Sequence, residues 1–523
     1  MSGSSTWNGS RALAERLDGL DSWWSEGWKG LDVAVLGLGA TGFSVADTLV
    51  ELGSSVTVYS SDAPADSVEL LDVIGARFVQ TPLEAVPASL AEQAPDLVVV
   101  SPGLPPHNPT VQWAVANSTV WGDIELAWRV RDKVVRGPVA APWVTITGTN
   151  GKTTTTQLTT AMYEAEGLRA VACGNIGVPV LDVVRDPDGF DVLVVELSSH
   201  QLHYMADSGD GAVLPLASAC LNIADDHLEW HGSAQAYRAA KAKVYERTVL
   251  ACVYNVTDDA TRAMVEDADV VEGCRAVGFT PGIPGPSEVG IVEDVLCDRA
   301  FTEDRRNSAL ELATHADLVQ AGLDSPHMTM NVLAAAALAR AGSVRPSSIQ
   351  RAVQAFRADH HRTERVATSA DGIVWVDDSK ATNPHAATAS LSSFESVVWI
   401  LGGQFKGVDI DGLVARFGPA ARGVVVIGTD RTPVLEAFAR HAPTVPLLQV
   451  EAPDTDQVMP EAVRHAASVA RPGDTVLLAP AAASFDQFGS YADRGRRFAA
   501  AVHEHLGGNA DGDDTDGPSD HRA

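Results

Sequence analysis

Apolar and polar positions alternate along the chain in a way that divides it into three blocks of strands and helices. Short apolar runs such as "VAVLG" at 33–37 are typical of buried parallel strands. The segment "TGFSVADTLVELG" that follows predicts a helix closed by Gly53, and "SVTVYS" predicts the next strand. Strands that alternate with helices predict an α/β fold for each block.

The length of 523 residues fits about three domains on the usual ~150-residue prior. We place the three blocks at residues 31–135, 136–358 and 359–506. Residues 1–30 are rich in Ser, Gly and Trp and are interpreted as an N-terminal extension. Residues 507–523 are acidic and of low complexity, so we expect a disordered tail.

The first block carries a glycine fingerprint between its first strand and its first helix. Gly37, Gly39 and Gly42 form the pattern G-x-G-x-x-G, which lets backbone approach a phosphate at a helix N-terminus. The acidic residue expected after the second strand is replaced by Ser60 and Ser61. A dinucleotide, another anion and a purely structural turn therefore all remain open.

The second block opens with "TITGTNGKTTTT", which resembles a phosphate-binding loop but has Ile146 where the general pattern has its first glycine. Backbone N–H groups from Gly148 to Thr153 would cradle phosphate oxygens, while Lys152 neutralises their charge and Thr153 is suited to Mg²⁺. The apolar run 192–195 predicts a buried strand that ends on Glu196. A carboxylate at that position is a suitable Mg²⁺ ligand.

A third predicted strand of this block, Ala219 to Ile223, is followed by Asp225, Asp226 and His227. This cluster at a strand end favours function over a structural role. Lys241 lies in a predicted helix, and taken alone it would be interpreted as part of a solvated face.

The charge balance excludes one class of partner. With 38 basic and 68 acidic residues the formal net charge is −30, which argues against nucleic acid. The five cysteines form no CxxC pair, and the chain has neither a signal-peptide pattern nor an apolar run of membrane-spanning length. We therefore expect a cytoplasmic protein with reduced thiols.

Taken together, the motifs resemble those of the Mur ligases of peptidoglycan synthesis over roughly residues 31–506. The similarity rests on "TGTNGKTTT", "GNIG", "ELSSHQL", "LNIADDHLEWH", "YRAAKAKVY", "DHHRTERV", "VDDSKATNP" and "LLAPAAASFDQFGSYADRGRRF". Ile146 agrees with this family's own loop. The pair "DDSKATNP" and "SFDQF" is typical of the members that add D-glutamate.

The resemblance implies a Rossmann-like UDP-sugar domain, a central P-loop ATPase domain and a C-terminal Rossmann-like α/β domain. The implied reaction is ATP-dependent addition of D-glutamate to UDP-MurNAc-L-alanine through an acyl phosphate. It also implies two Mg²⁺ ions and a CO₂-derived carbamate on a lysine. We expect small-molecule substrates, no membrane insertion and a monomer.

The resemblance also implies a role for individual residues of this chain. The residues implied to bind ATP are Gly148, Thr149, Asn150, Gly151, Lys152, Thr153, Thr154, Asn175, Asn331, Arg362 and Asp378. Those implied to bind the UDP-sugar are Gly39, Ala40, Thr41, Ser60, Ser61 and Gly103, and those implied to bind D-glutamate are Lys380, Thr382, Lys406, Ser484 and Phe485. The implied metal ligands are Thr153, Glu196, His227 and carbamylated Lys241. Lys152, Glu196, His227 and Lys241 form the implied catalytic set. Asn175 and Asn331 are expected at the adenine, Arg362 at the γ-phosphate and Asp378 at the ribose.

The sequence motifs alone leave several other functions open. Within the fold the rivals are another Mur ligase and a ligase of the folylpolyglutamate synthase type. Outside it they are an ATP-driven conformational switch and an NAD-dependent oxidoreductase built on Gly37, Gly39 and Gly42. The switch leaves "VDDSKATNP" and Lys241 without an explanation.

Overall fold

The computed structural model describes residues 16–63, 65–206, 209, 211–357, 361, 363–452 and 454–508. Arg362 and the predicted acidic tail from residue 509 onward lie outside the described residues. The described residues form two compact units. One contains residues up to 223 together with 230–357, and the other contains 224–229 together with the residues that follow 357.

The first domain is built on a five-stranded parallel sheet with strand order β3-β2-β1-β4-β5. Its strands are β1 (Asp32–Leu36), β2 (Ser55–Ser60), β3 (Arg77–Gln80), β4 (Leu97–Val100) and β5 (Thr119–Gly122). Its helices are α1 (Ala40–Glu51), α2 (Ala65–Ile74), α3 (Ala88–Gln93), α4 (Pro109–Asn117) and α5 (Asp123–Arg129), preceded by a 3-10 turn at Glu26–Trp28. The strand order changes direction at β1, so the loops after β1 and β4 lie side by side.

The central domain has a nine-stranded sheet of order β14-β13-β12-β11-β10-β9-β6-β8-β7, antiparallel only at β12–β13 and β13–β14. Its strands are β6 (Trp143–Thr147), β7 (Ala170–Gly174), β8 (Val192–Glu196), β9 (Ala217–Cys220), β10 (Ala251–Asn255), β11 (Arg275–Phe279), β12 (Glu288–Val292), β13 (Val295–Asp298) and β14 (Leu310–Thr314). Its helices are α6 (Lys152–Ala165), α7 (Val180–Val184), α8 (Ser199–His203), α9 (Leu228–His231), α10 (Ala234–Ala242), α11 (Asp259–Asp267), α12 (His315–Ala321), α13 (Pro326–Ala341) and α14 (Pro346–Ala355), with a 3-10 turn at Lys243–Tyr245.

The C-terminal domain has a six-stranded sheet of order β15-β16-β20-β17-β18-β19, antiparallel only at β15–β16. Its strands are β15 (Glu364–Thr368), β16 (Val374–Asp377), β17 (Val397–Gly402), β18 (Gly423–Ile427), β19 (Leu447–Gln449) and β20 (Thr475–Leu478). Its helices are α15 (Pro384–Leu391), α16 (Asp411–Phe417), α17 (Thr432–His441), α18 (Thr455–Val469) and α19 (Tyr491–Gly508), with a 3-10 turn at Gly418–Ala420. Apolar side chains bury both faces of this sheet.

The α/β fold class with three domains is confirmed, and several local predictions need correction. The strand predicted over Ala219 to Ile223 is β9, which ends at Cys220 because the next residues turn toward the neighbouring loop. Lys241 is only 2% exposed, which excludes the solvated helix face that the residue taken alone would suggest and leaves the role implied by the resemblance as a prediction. Helix α19 continues to Gly508, two residues into the segment predicted as a tail. No helix of the described residues is both long and apolar enough to cross a membrane.

Candidate active site

The phosphate loop (residues 148–153) connects β6 to α6 at the carboxyl end of the central sheet. Gly148 and Gly151 both have positive φ, at 151° and 82°, a conformation that glycine adopts at little cost. At Gly151 a Cβ atom would also lie 2.3 Å from Oδ1 of Asn331, which comes from α13. The loop therefore has the tight glycine turn and the helix N-terminus that bind phosphate oxygens.

Asn222, two residues after the end of the neighbouring strand β9, is hydrogen-bonded to the phosphate loop. Its carbonyl accepts from the N–H of Thr149, and its Oδ1 accepts from the N–H of Asn150, both at 2.9 Å. Its Nδ2 donates back to the carbonyl of Asn150 at 3.1 Å. We did not predict this residue, although its place directly after an apolar strand was the signal that could have found it.

Lys152 begins helix α6, and its ammonium lies over the loop. Its Nζ donates to the carbonyls of Gly148 and Thr149, both at 2.9 Å. Thr153 occupies the next position of the same helical turn. An ammonium and a helix N-terminus together form a positively polarised end that suits an anionic ligand.

Glu196 ends β8, the strand that neighbours β6, and it lies directly opposite Ile146. Its side chain is 2% exposed, and its Oε1 accepts from Nδ2 of Asn175 at 2.9 Å. Its Oε2 is buried and has no hydrogen-bond partner among the described residues. A buried carboxylate oxygen without a donor is costly unless something else is bound there, so this oxygen fits a cation.

Lys241 approaches the phosphate loop from helix α10. Its Nζ donates to Oγ1 of Thr147 at 3.1 Å and to the carbonyl of Gly148 at 2.9 Å. The ring of Tyr237, one helical turn earlier, lies 5.1 Å from the same nitrogen. The Tyr237 hydroxyl is 2.9 Å from Oγ1 of Thr149. Helix α10 therefore contributes two buried polar side chains to the loop, of which only Lys241 was predicted.

His227 lies in the segment 224–229, which belongs to the other compact unit. Its φ is 52°, its N–H donates to Oδ1 of Asp226 at 2.9 Å, and its Nε2 is 3.6 Å from Oδ2 of the same residue. The role implied for this histidine, as a ligand of a second Mg²⁺, remains a prediction.

In the first domain the glycine loop meets the end of β4, as its topology requires. The hydroxyl of Ser101 donates to the carbonyl of Gly37 at 3.1 Å. The hydroxyl of Ser60, at the end of β2, accepts from the N–H of Leu38 at 3.3 Å. Gly42 packs so closely on Gly37 that a Cβ atom there would lie 2.1 Å from its carbonyl oxygen. Gly39, Ala40, Thr41, Ser61 and Gly103 are exposed or half-buried around this edge.

Among the described residues, polar contacts of Tyr204, Trp230 and Gln201 join the central domain to the first domain close to these loops. The hydroxyl of Tyr204 donates to the carbonyl of Leu104 at 2.7 Å, and Nε1 of Trp230 lies 3.4 Å from the carbonyl of Gly103. Nε2 of Gln201, in α8, donates to Oδ2 of Asp123 at 2.9 Å. Burial is the largest influence on Asp123, and it raises the pKa of this carboxyl to about 6.

The predicted D-glutamate residues lie on loops that follow β16, β17 and β20, which are adjacent parallel strands. Nζ of Lys380 is 3.7 Å from the centre of the Tyr491 ring. Ser484 is buried, whereas Phe485 is exposed. Thr382 follows Lys380 in the first of these loops, and Lys406 follows β17 with a φ of 54°. The structure therefore brings the five predicted residues to one edge of the third sheet.

Arg494 ties two of these loops together and was not predicted. Its buried guanidinium donates to Oγ and the carbonyl oxygen of Ser379 at 2.9 and 2.8 Å, and to the carbonyl of Ala482 at 3.2 Å. Burial lowers its pKa to about 10. No local pattern distinguishes it, because it is one of three arginines at the start of α19.

Asp378, predicted at the ribose, is buried directly after β16, and its N–H donates to the carbonyl of Leu478 at 2.9 Å. The preceding residue, Asp377, holds the His361 ring through a 2.6 Å contact from Oδ2 to Nδ1. Its Oδ1 accepts from the N–H of Ser379. These contacts fix the start of the segment "DDSKATNP".

Family models match consecutive parts of this chain. The MurD-like N-terminal domain of Mur ligases matches residues 31–121, the Mur ligase middle domain matches 146–339, and the Mur ligase glutamate ligase domain matches 361–482. Among solved structures, UDP-N-acetylmuramate-alanine ligase MurC of Thermotoga maritima is 18% identical with a TM-score of 0.53, covering 91% of this chain and all of that one. The MurF ligase of Thermotoga maritima in complex with ADP is 16% identical with a TM-score of 0.52, covering 92% and 96%. At these identities the two structures support the fold alone.

Curated relatives are far more similar. One from Leifsonia xyli subsp. xyli is 58% identical over 505 residues, which is 96% of this chain and 97% of that protein. One from Streptomyces avermitilis is 49% identical over 91% and 98%, and one from Tropheryma whipplei strain Twist is 48% identical over 94% and 98%. The chain therefore belongs to the Mur ligase family, the ATP-dependent ligases that form amide bonds. Each of these three relatives is named UDP-N-acetylmuramoylalanine--D-glutamate ligase.

The buried Asp123 generates a prediction about pH. The carboxyl pKa rises from 3.8 to about 6 on folding, so the folded state binds the proton more tightly. Protonated Asp123 therefore stabilises the folded state. This stabilisation is complete below the pKa that the carboxyl has in the unfolded chain, and it is lost as the pH rises through the pKa of about 6 in the folded protein. A carboxyl pKa that rises from 3.8 to about 6 corresponds to at most about 3 kcal/mol of folding free energy.

Asp123→Asn should remove this pH dependence, because an amide does not titrate. We expect the free energy of unfolding of the wild type, minus that of Asp123→Asn, to fall by up to about 3 kcal/mol between about pH 3.5 and pH 7. Urea denaturation at a series of pH values measures it. Parallel curves for the two proteins would contradict the assignment.

Proposed function

We infer that this chain catalyses the ATP-dependent addition of D-glutamate to UDP-MurNAc-L-alanine, a step of peptidoglycan precursor synthesis, in the cytoplasm and as a monomer. The observation that carries the chemistry is the buried Oε2 of Glu196, which has no hydrogen-bond partner in the described part of the chain and lies beside a glycine loop with an ammonium over it. The 58% identity to a D-glutamate ligase over nearly the whole chain supports the choice of substrates.

The site chemistry follows from the weakness of a carboxylate as an electrophile. Transfer of the γ-phosphoryl group of ATP converts the carboxylate into an acyl phosphate, which the amine of the amino acid attacks, and phosphate then leaves. The first step brings two anions together, so catalysis depends on positioning and on neutralising charge. Lys152 and the N-terminus of α6 supply positive charge and N–H donors at the phosphates.

The residues present fit Mg²⁺, because Glu196 offers a carboxylate oxygen at the end of β8 and Thr153 offers a hydroxyl at the start of α6, and Mg²⁺ prefers such oxygen ligands. Thr153, Glu196, His227 and Lys241 as a carbamate would hold two ions. The bound metal would neutralise the phosphate oxygens. The carbamate would convert the Lys241 cation, which donates to Thr147 and Gly148, into an anionic ligand.

For the other ATP contacts we propose the backbone of residues 148–154 at the phosphates and Asn175 and Asn331 at the adenine. Asn331 packs against Gly151 of the phosphate loop, and Asn175 bonds Glu196 at the end of the strand beside β6. We propose Asp378 at the ribose and Arg362 at the γ-phosphate.

In the first domain we propose that the UDP group binds at Gly39, Ala40, Thr41, Ser60, Ser61 and Gly103. The bond from Ser101 to Gly37 supports this, since it joins the two loops at the point where the strand order changes direction.

We propose domain boundaries near residues 135 and 358, which leave each sheet intact.

For D-glutamate we propose Lys380, Thr382, Lys406, Ser484 and Phe485. Two ammonium groups and two hydroxyls on adjacent loops suit an amino acid with two carboxylates. Backbone pairing of Gln404 with Ala483, 2.9 Å in each direction, supports this pocket because it links the loops after β17 and β20.

The first test of this function is the choice of amino acid. With ATP, Mg²⁺ and UDP-MurNAc-L-alanine, D-glutamate should trigger phosphate release and L-glutamate should not, because a fixed set of donors cannot match both enantiomers. Lys380→Ala should raise the KM for D-glutamate far more than the KM for ATP. Equal use of both enantiomers would contradict the proposal, and addition of L-glutamate to a folate would indicate a ligase of the folylpolyglutamate synthase type.

The second test concerns Lys241. Lys241→Ala should lose most activity, on the order of 10²-fold or more, and acetate should restore part of it, because the proposed carbamate acts as an anion. Lys243→Ala is the matched control, since its Nζ donates to backbone carbonyls of His203 and Met205 instead, and acetate should not affect it. Labelling with ¹³C-bicarbonate should give a carbamate signal that Lys241→Ala lacks. Full activity of Lys241→Ala would rule out the role.

A further inference from the structure

The residues before β1 pack as part of the core rather than as a loose extension. Leu17, Leu20, Trp23 and Trp28 are buried, and they belong to one apolar cluster that also contains side chains of the first sheet and of the central domain. Trp24 is the exception, with 70% of its side chain exposed. We call residues 16–29 the N-terminal strap.

The strap holds Asp132, which lies in the connector between α5 and β6. Oδ2 of Asp132 accepts from the hydroxyl of Ser22 at 2.5 Å, and its Oδ1 accepts from the N–H of Trp23 at 2.7 Å. Nζ of Lys133, the next connector residue, is 4.1 Å from the centre of the Trp23 ring. A carboxylate with two such donors is held in one orientation.

The strap also holds helix α5. The buried guanidinium of Arg129 donates to the strap carbonyls of Leu17 and Leu20, at 3.4 and 3.0 Å. The same guanidinium pairs with Glu125 at 2.8 Å and stacks on Trp121 at 4.2 Å. This charge would be expensive to bury without these partners, so strap and helix are fixed relative to each other.

Helix α5 in turn lies on the central domain. The rings of Trp128 and Trp143 meet edge to face, with centroids 5.1 Å apart, and Trp143 is the first residue of β6. Gly211 of the central domain lies so close to the Glu125–Arg129 pair that a Cβ atom there would be 2.3 Å from Oε1 of Glu125. The strap therefore fixes the element through which the first domain contacts the strand that leads into the phosphate loop.

The match to the N-terminal family model begins at residue 31, so the strap lies outside it. We propose that the strap is a positioning element for the ligase reaction. By holding α5 and the connector it keeps the first domain at a fixed orientation to the central domain, and so presents the carboxylate of the UDP-linked substrate to the phosphate loop. This inference rests on the proposed binding of UDP by the first domain.

The test compares two adjacent tryptophans in the full chain. Trp23→Ala removes a buried side chain of the strap, and Trp24→Ala removes an exposed one and is the matched control. Asp132→Asn is a second, nearly isosteric variant in case Trp23→Ala does not fold. For each protein, calorimetry gives the Kd and stoichiometry for UDP and for ADP, and steady-state kinetics gives kcat/KM for UDP-MurNAc-L-alanine.

We expect UDP and ADP to bind Trp23→Ala and Asp132→Asn as they bind the wild type, because the proposed UDP site lies within the first domain and the proposed ATP contacts all lie outside it. The value of kcat/KM should fall roughly tenfold or more, because small misplacements of reacting groups are costly. Trp24→Ala should match the wild type. The inference would be overturned if kcat/KM fell only in proportion to the fraction of protein that binds ligand, or if Trp23→Ala and Trp24→Ala had the same kcat/KM. A wild type that does not ligate D-glutamate would instead refute the proposed function.

Discussion

The parallel pairing of β6 between β8 and β9 is the constraint on which the active site depends. This register places Ile146 opposite Glu196 on one side and Ala219 on the other, so that three strands end at the same level. The phosphate loop follows the middle strand, the carboxylate proposed to bind metal, Glu196, ends one neighbouring strand, and Asn222 follows the other. A slip of one residue in either pairing would move these groups apart and turn their side chains to the opposite face of the sheet.

Burial of charge accompanies this arrangement. Glu196 and Lys241 are each 2% exposed; Glu196 ends the strand beside β6, and Lys241 reaches the end of β6 from helix α10. Buried charges destabilise a fold unless they are paired, hydrogen-bonded or bound to a metal. Two buried charged groups at the carboxyl ends of these strands, beside a glycine loop, are therefore better explained by ligand binding than by a contribution to stability.

Much of this site could be predicted from sequence, because its signals are local. Apolar runs that end on Glu196 or on the phosphate loop are visible in the chain, and parallel topology brings such strand ends together. Asn222 was missed because its partner, Asn150, is 72 residues away and only the register brings them together. Arg494 was missed for the same reason, since its acceptor Ser379 is 115 residues distant. The strap was interpreted as an extension because its tryptophans show no helical or strand period.

The proposal that ATP activates the substrate carboxylate is best tested by following ¹⁸O from that carboxylate to the released phosphate. UDP-MurNAc-L-alanine labelled with ¹⁸O in its carboxylate is incubated with ATP, Mg²⁺ and D-glutamate, and the released phosphate is analysed by mass spectrometry. Formation and aminolysis of an acyl phosphate leave one carboxylate oxygen on the phosphate, so each released phosphate should carry one ¹⁸O atom. Phosphate without label would mean that ATP is hydrolysed by water, and it would contradict the account.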